Sequence, residues 1–412
     1  MPKHLLWILL IVLLFAVGCT PSPEPVGVTN PSHILTMDQV KTEIAEKKAR
    51  LLDFMKEERL IGMVLQRPEN YAWITAGYDN NMIEFDKESG AVAVFLTERG
   101  KEYLLASKSE GPRVHDRLNE LGFESRHTAW YQQQTADDAR MKMMRGLLHG
   151  QPGRIGADSD FPGTANVFND FQPLRYELTS TEIEKLRWLG RETALAVEEV
   201  CRILEPGMSG YDMESLTARA LWRRGIRPTV LLTGSDEQLF RYRHVPPSDD
   251  TIDSYAMVNV CAEKWGLTVA VTRFVHFGPL PDSLQTRLSA AVEVSARYHH
   301  ATRPGKDLGE LFEEMKQWYV DEGFPEEWRE HHQGGAIGYD NREFVIYPFL
   351  QASVRPNQAF AWNPTVQGAK VEDTIIAHAD STQENVTRTG QWPEIRVDVD
   401  GEVYPQPGIL LR

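Results

Sequence analysis

Two apolar runs, residues 255–262 and 267–277, are separated only by the short turn at Lys264 to Gly266. Runs rich in Val, Thr and aromatic residues on both sides of so short a turn predict a β-hairpin, and the C-terminal half of the chain has to be assembled around it. Upstream, Thr181 and Glu184 have capping-box spacing. Behind them Leu186, Leu189, Val197, Val200 and Leu204 recur at helical spacing until Pro206-Gly207 stops the helix. A second helix is predicted over 211–224, ended by Gly225, and a strand over 229–232. Downstream come helices over about 282–301 and 308–322. The remainder is β-rich: 333–339, 359–363, 374–378 and a closing hairpin at Asp400-Gly401.

A chain of 412 residues exceeds one ordinary domain. The elements above occupy residues 178–412, and residues 36–177 carry a smaller set. There a helix is predicted over 37–58, with apolar positions Val40, Ile44, Leu51, Leu52 and Met55. Strands at 61–65, 91–96 and 102–106 and helices near 113–121 and 137–148 follow, an alternation that predicts an α/β layer structure. The fold class expected for the whole is α+β. No glycine-rich nucleotide loop and no internal repeat is present. A formal net charge of -15, spread along the chain, argues against nucleic acid as a partner, because phosphate binding needs a basic surface.

Lys3 and His4 precede an apolar run at 5–18, then Cys19 and the proline-rich stretch 20–31. The run is shorter than the ~20 residues a spanning helix needs. This order describes a secretory signal. Ala16-Val17-Gly18-Cys19 resembles a bacterial lipobox, which implies that Cys19 is acylated and that residues 20–35 tether an exported protein to a membrane of the cell envelope. Thr20 after the Cys resembles the outer-membrane sorting pattern. Cys201 and Cys261 lack metal-type spacing; a disulfide between them is open in an oxidising compartment, and two buried free thiols in core elements are the expected state.

Four segments of the second domain, in order, resemble the pita-bread hydrolases, which include methionine aminopeptidase, aminopeptidase P, prolidase and creatinase. They are the helix closed by Glu205-Pro206-Gly207, the loop Arg243-His244-Val245-Pro246, the hairpin with Thr272-Arg273 and Gly278, and the glycine-rich turn from His331 to Tyr339 with Arg342-Glu343 behind it. Val371-Glu372-Asp373-Thr374 completes the set. Residues 71–78 look like the strand and turn of the family's first domain. The resemblance implies a pita-bread C-terminal domain and, through Trp130-Tyr131, a homodimer.

Metal-dependent members of that family hold two divalent cations with two Asp, one His and two Glu. At the matching positions this chain has Asn259, Ala270, Gly335 and Asn363, and only Glu372 is kept. The shortage does not depend on register. Between Tyr255 and Gly278 the only acidic residue is Glu263, and between Ala352 and Val371 there is none. Hard dications need carboxylates as ligands and as compensating charge. No metal or other cofactor is therefore expected. Creatinase works without metal, so the resemblance leaves His244 as general acid/base with Glu343 and Glu372. His332, Arg273, Asn259 and Asn363 would contact substrate, and Asn259 and Asn363 would hydrogen-bond each other. Arg342-Glu343 reads alternatively as an ion pair, Arg273 as the neutraliser of Glu372, and His331-His332 as a solvated pair. Two carboxylates on one pocket favour an amine- or amidine-bearing small molecule. Three readings stay open: a metal-independent hydrolase of a C–N bond, a catalytically inactive protein that binds a small molecule or short peptide, and a metallo-aminopeptidase with unusual ligands.

Overall fold

The computed structural model describes residues 31–84, 88–133 and 139–412. Cys19 and the signal segment lie outside them. Among the described residues no helix is long and apolar enough to cross a membrane.

The first domain is a six-stranded mixed sheet. The central strand Leu60–Leu65 pairs antiparallel with Val92–Thr97 and parallel with Arg154–Ala157. Every residue of Leu60–Leu65 is buried, which is why it reads as an unbroken apolar run rather than an alternating one. Helix Met37–Glu57 opens with a Thr36/Gln39 capping box and packs Val40, Ile44, Leu51 and Phe54 into the core. Three strands escape the sequence reading, Glu124–Thr128, Arg154–Ala157 and Ala165–Asn166, because the first is polar and the others are only four and two residues long. Of the stretch expected to be strand and turn at 71–78, the turn forms after Ile74, but residues 71–74 end a short helix, Pro68–Ile74, with Pro at its first turn, instead of a strand.

In the second domain the hairpin forms as expected, from Tyr255–Lys264 and Leu267–His276. Trp265 and Gly266 both have positive φ, 59° and 82°, the backbone of a tight two-residue turn that matches strand twist. Arg227–Ser235 and Ile409–Leu411 flank the hairpin to complete a four-stranded sheet. A second, five-stranded sheet contains Gly334–Ile337, Gln358–Trp362 and Asp373–Ala377. The two sheets are tied where Thr272 N donates to Glu372 O (3.1 Å) and Ala270 N to Thr374 Oγ1 (2.8 Å). Helix Ser180–Ile203 lies against the hairpin. Its capping box is Thr179 with Glu182, not Thr181 with Glu184: the same spacing two residues earlier.

That shift has a physical reason. Thr181 and Glu182 are both engaged in a buried cluster joining the two domains. Lys47 Nζ lies 2.6 Å from Glu43 and 2.9 Å from Glu182, and Lys185 Nζ lies 2.9 Å from Glu43. Thr181 donates to Glu43 (2.7 Å), and Tyr339 from the glycine-rich turn donates to Glu182 (2.6 Å). Two ammoniums and two carboxylates balance one another there, so each charge has the partner that burial demands.

Candidate functional site

Glu372 is the centre of the site. Its backbone is pinned to the hairpin, and its side chain is buried beneath it. One carboxylate oxygen faces the Arg342 guanidinium at 3.0 Å. The other faces Lys370 Nζ at 3.1 Å, accepts from the Thr272 hydroxyl at 2.6 Å, and accepts from the Asn259 amide. Asn259 and Thr272 reach it together because they are cross-strand partners and so share one face of the hairpin. Burial alone would raise the carboxyl pKa, but Lys370 and Arg342, with the hydrogen bonds, outweigh it and hold the group down at about 2.

Arg273 follows Thr272 in the same strand and therefore points the other way. It is buried against Asp373 (2.9 Å), the Thr387 carbonyl (3.2 Å) and Glu198 (3.7 Å), so it neither neutralises Glu372 nor reaches a substrate beside it. Glu343 also differs from expectation. Its partner is Arg175, at 2.7 Å, and not Arg342; its second oxygen accepts from Tyr339 N at 2.9 Å. Burial pushes its pKa up against the pull of Arg175. Both carboxylates assigned to catalysis are thus engaged by arginine or lysine. Asn363 is buried with its side-chain carbonyl oxygen unpaired, and the expected bond to Asn259 is replaced by Asn259's bonds to Thr272 and Glu372.

His244 does come to the site, and it brings a group that the sequence reading undervalued. Its Nε2 lies 3.0 Å from His331 Nε2, with the rings edge to face, and His332 stacks on His331 at 4.3 Å. Arg243 and Glu327, 2.6 Å apart, clamp the His244 loop to the turn that leads into His331. Buried Gln333 holds the other side, donating to the His331 carbonyl (2.6 Å) and accepting from Tyr319 (2.5 Å). All three imidazoles titrate below the ordinary histidine range. Desolvation is the main cause and Lys370 contributes in each; His331 is pushed furthest, to about 3.

A family model, Metallopeptidase family M24, matches residues 184–379. Residues 184–379 are an M24 domain. No curated protein sequence matches the chain. Among solved structures, the prolidase from Pyrococcus horikoshii OT3 superposes with a TM-score of 0.69 at 14% identity, over 84% of this chain and 98% of that one. The Xaa-Pro dipeptidase from Bacillus anthracis gives 0.66 at 16% identity, over 90% and 100%. The N-terminal domain of FACT complex subunit SPT16 from Cicer arietinum gives 0.60 at 14% identity, over 84% and 97%. At these identities the likeness is one of fold, and it extends through the first domain to the M24 domain.

The two-metal centre implied by the family does not fit the donors this M24 domain presents. Around Glu372 stand two side-chain cations, one amide and one hydroxyl, where paired dications would need several carboxylates. Gly335, which the resemblance puts at the position of the metal-binding His, lies in a strand between two neighbours. A Cβ added there would press on the Phe344 carbonyl and stand 2.7 Å from Val345 Cα. Lys370 and Arg342 are the site residues missed from the sequence. The available signal was charge balance: a lone buried Glu372 needs cations, and Arg342 lies beside the glycine-rich turn while Lys370 directly precedes Val371.

Proposed function

We propose that this chain is a pita-bread protein without two-metal peptidase activity, tethered through Cys19 to the envelope of a bacterial cell, that binds a short peptide or small molecule by a carboxylate. The observation that carries this reading is the Lys370–Glu372–Arg342 cluster, in which two cations share a single carboxylate. That excess of positive charge reverses the preference for an amine-bearing ligand expected from two free carboxylates. A ligand carboxylate would be drawn to it, as charge-assisted hydrogen bonds to Lys and Arg favour. The fold itself is compatible with either role, since it is shared by chains named as prolidase or dipeptidase and by one named as a subunit of a complex.

The test is direct. Xaa-Pro dipeptides are offered to the purified protein with manganese or cobalt, and binding and turnover are measured side by side. Saturable binding without turnover is expected, and weakening of that binding in Arg342→Met. Turnover that disappears in Glu372→Gln would return the chain to the metallo-aminopeptidases. A second reading, the metal-independent hydrolase of a C–N bond, draws on the His244–His331 contact, in which a neutral imidazole is placed to pass a proton to another. Hydrolysis of a creatine-like compound, lost in His244→Ala, would support it.

A further inference from the structure

We propose that His244, His331 and His332 form a site for one transition-metal ion of the zinc, cobalt or nickel class, distinct from the cluster around Glu372. The ring nitrogens that the three side chains offer lie within 4.8 Å of one another. Zn–N bonds of about 2.0–2.1 Å in tetrahedral geometry put ligand nitrogens roughly 3.3 Å apart. The His244–His331 pair, at 3.0 Å, needs to open by only a few tenths of an ångström. His332 is exposed, so its ring is free to turn off the face of His331 toward a shared ion.

The hydrogen bonds around His331 are of the kind that orients a metal ligand. Its Nδ1 lies 2.5 Å from the His332 carbonyl oxygen, which can only accept, so Nδ1 carries the proton and Nε2 presents its lone pair toward His244. The Arg243–Glu327 and Gln333–Tyr319 pairs fix the two segments from either side.

The charges facing the cluster define the rest of the coordination. Lys370 and Arg342 oppose a bare dication, and Glu372 offsets only one of them. An ion here would therefore keep an anion, such as hydroxide, chloride or a ligand carboxylate, at its open position. All-nitrogen ligation selects zinc, cobalt or nickel and disfavours manganese and magnesium, which prefer oxygen. The proposal does not rest on the ligand-binding reading above, because metal uptake is measured with no peptide present.

The experiment is calorimetric titration of the metal-stripped full-length protein with zinc chloride near neutral pH, with cobalt chloride followed by visible absorption in parallel. One equivalent is expected, with the visible bands of four-coordinate cobalt and no uptake of manganese. His244→Ala and His331→Ala should each weaken zinc binding by more than the roughly 10–100-fold that losing an outer-shell partner costs. His300→Ala, a histidine beside Tyr404 outside the cluster, should leave it unchanged. Absence of binding, equal binding by His331→Ala, or two equivalents lost together in Glu372→Gln would each overturn the site. Zinc uptake without peptide binding sinks only the earlier reading, and peptide binding without zinc uptake sinks only this one.

Discussion

Lys370 Nζ lies 3.1 Å from Glu372 Oε2, so an ammonium meets the one carboxylate that the family resemblance puts at a metal-ligand position. With Arg342 on the other oxygen, the carboxylate is met by two side-chain cations carried by the same chain. The two cations compensate the buried negative charge.

Removing the carboxylate should therefore hurt stability. In Glu372→Gln the ammonium and guanidinium lose their counter-charge while remaining mostly buried, a change that typically costs about 3–5 kcal/mol. Urea denaturation followed by tryptophan fluorescence measures it. The pH dependence has a fixed sign. The folded pKa, about 2, lies below the ordinary 4.5, so the contribution is complete above that ordinary value and is lost as pH falls toward about 2. The Gln variant should lack this part of the acid sensitivity, and an unchanged acid transition would count against the ion cluster.

Restoring the missing histidine should fail. Gly335→His would force a side chain against Phe344 and Val345 within a paired strand. Overpacking of this kind costs at least about 1–3 kcal/mol. A lowered thermal midpoint with no gain in manganese binding is expected. A stable variant that takes up manganese would show that the strand can yield.

The two domains should unfold together, because Glu43 links Lys47 on its own helix to Lys185 in the M24 domain. Burial opposes ionisation of Glu43, yet the two lysines hold its pKa at about 2. Glu43→Ala leaves two buried ammoniums short of charge, again about 3–5 kcal/mol. It should split one unfolding transition into two in a calorimeter. A single transition at the wild-type temperature would contradict the role given to this cluster.

Cys201 and Cys261 are free and buried, the expected state, and desolvation pushes their thiols up to about 12 and about 11. Since the thiolate is the reactive species, neither should react with a thiol reagent in the native protein, and both should react once it is unfolded. Counting modified sites by mass spectrometry, Cys19 aside, checks this. Rapid native labelling of either would be inconsistent with the packing.

Much of this was legible locally. The long hairpin, helix Ser180–Ile203 and helix Asp282–Ala301 declare themselves because apolar spacing, caps and a two-residue turn act over a few neighbouring residues. Helix Pro68–Ile74 was misread because seven residues with Asn, Tyr and Trp give too little periodicity to separate helix from strand.

By itself the sequence determined the pita-bread fold and the shortage of carboxylates, since no folding can supply an acid that the chain lacks. Only the tertiary structure decided which cation meets which anion. Glu343 went to Arg175 rather than to its neighbour Arg342, and Arg273 to Asp373 rather than to Glu372. Strand alternation sets which face a side chain takes, and pairing distant segments sets what waits there; neither is a local property of the chain.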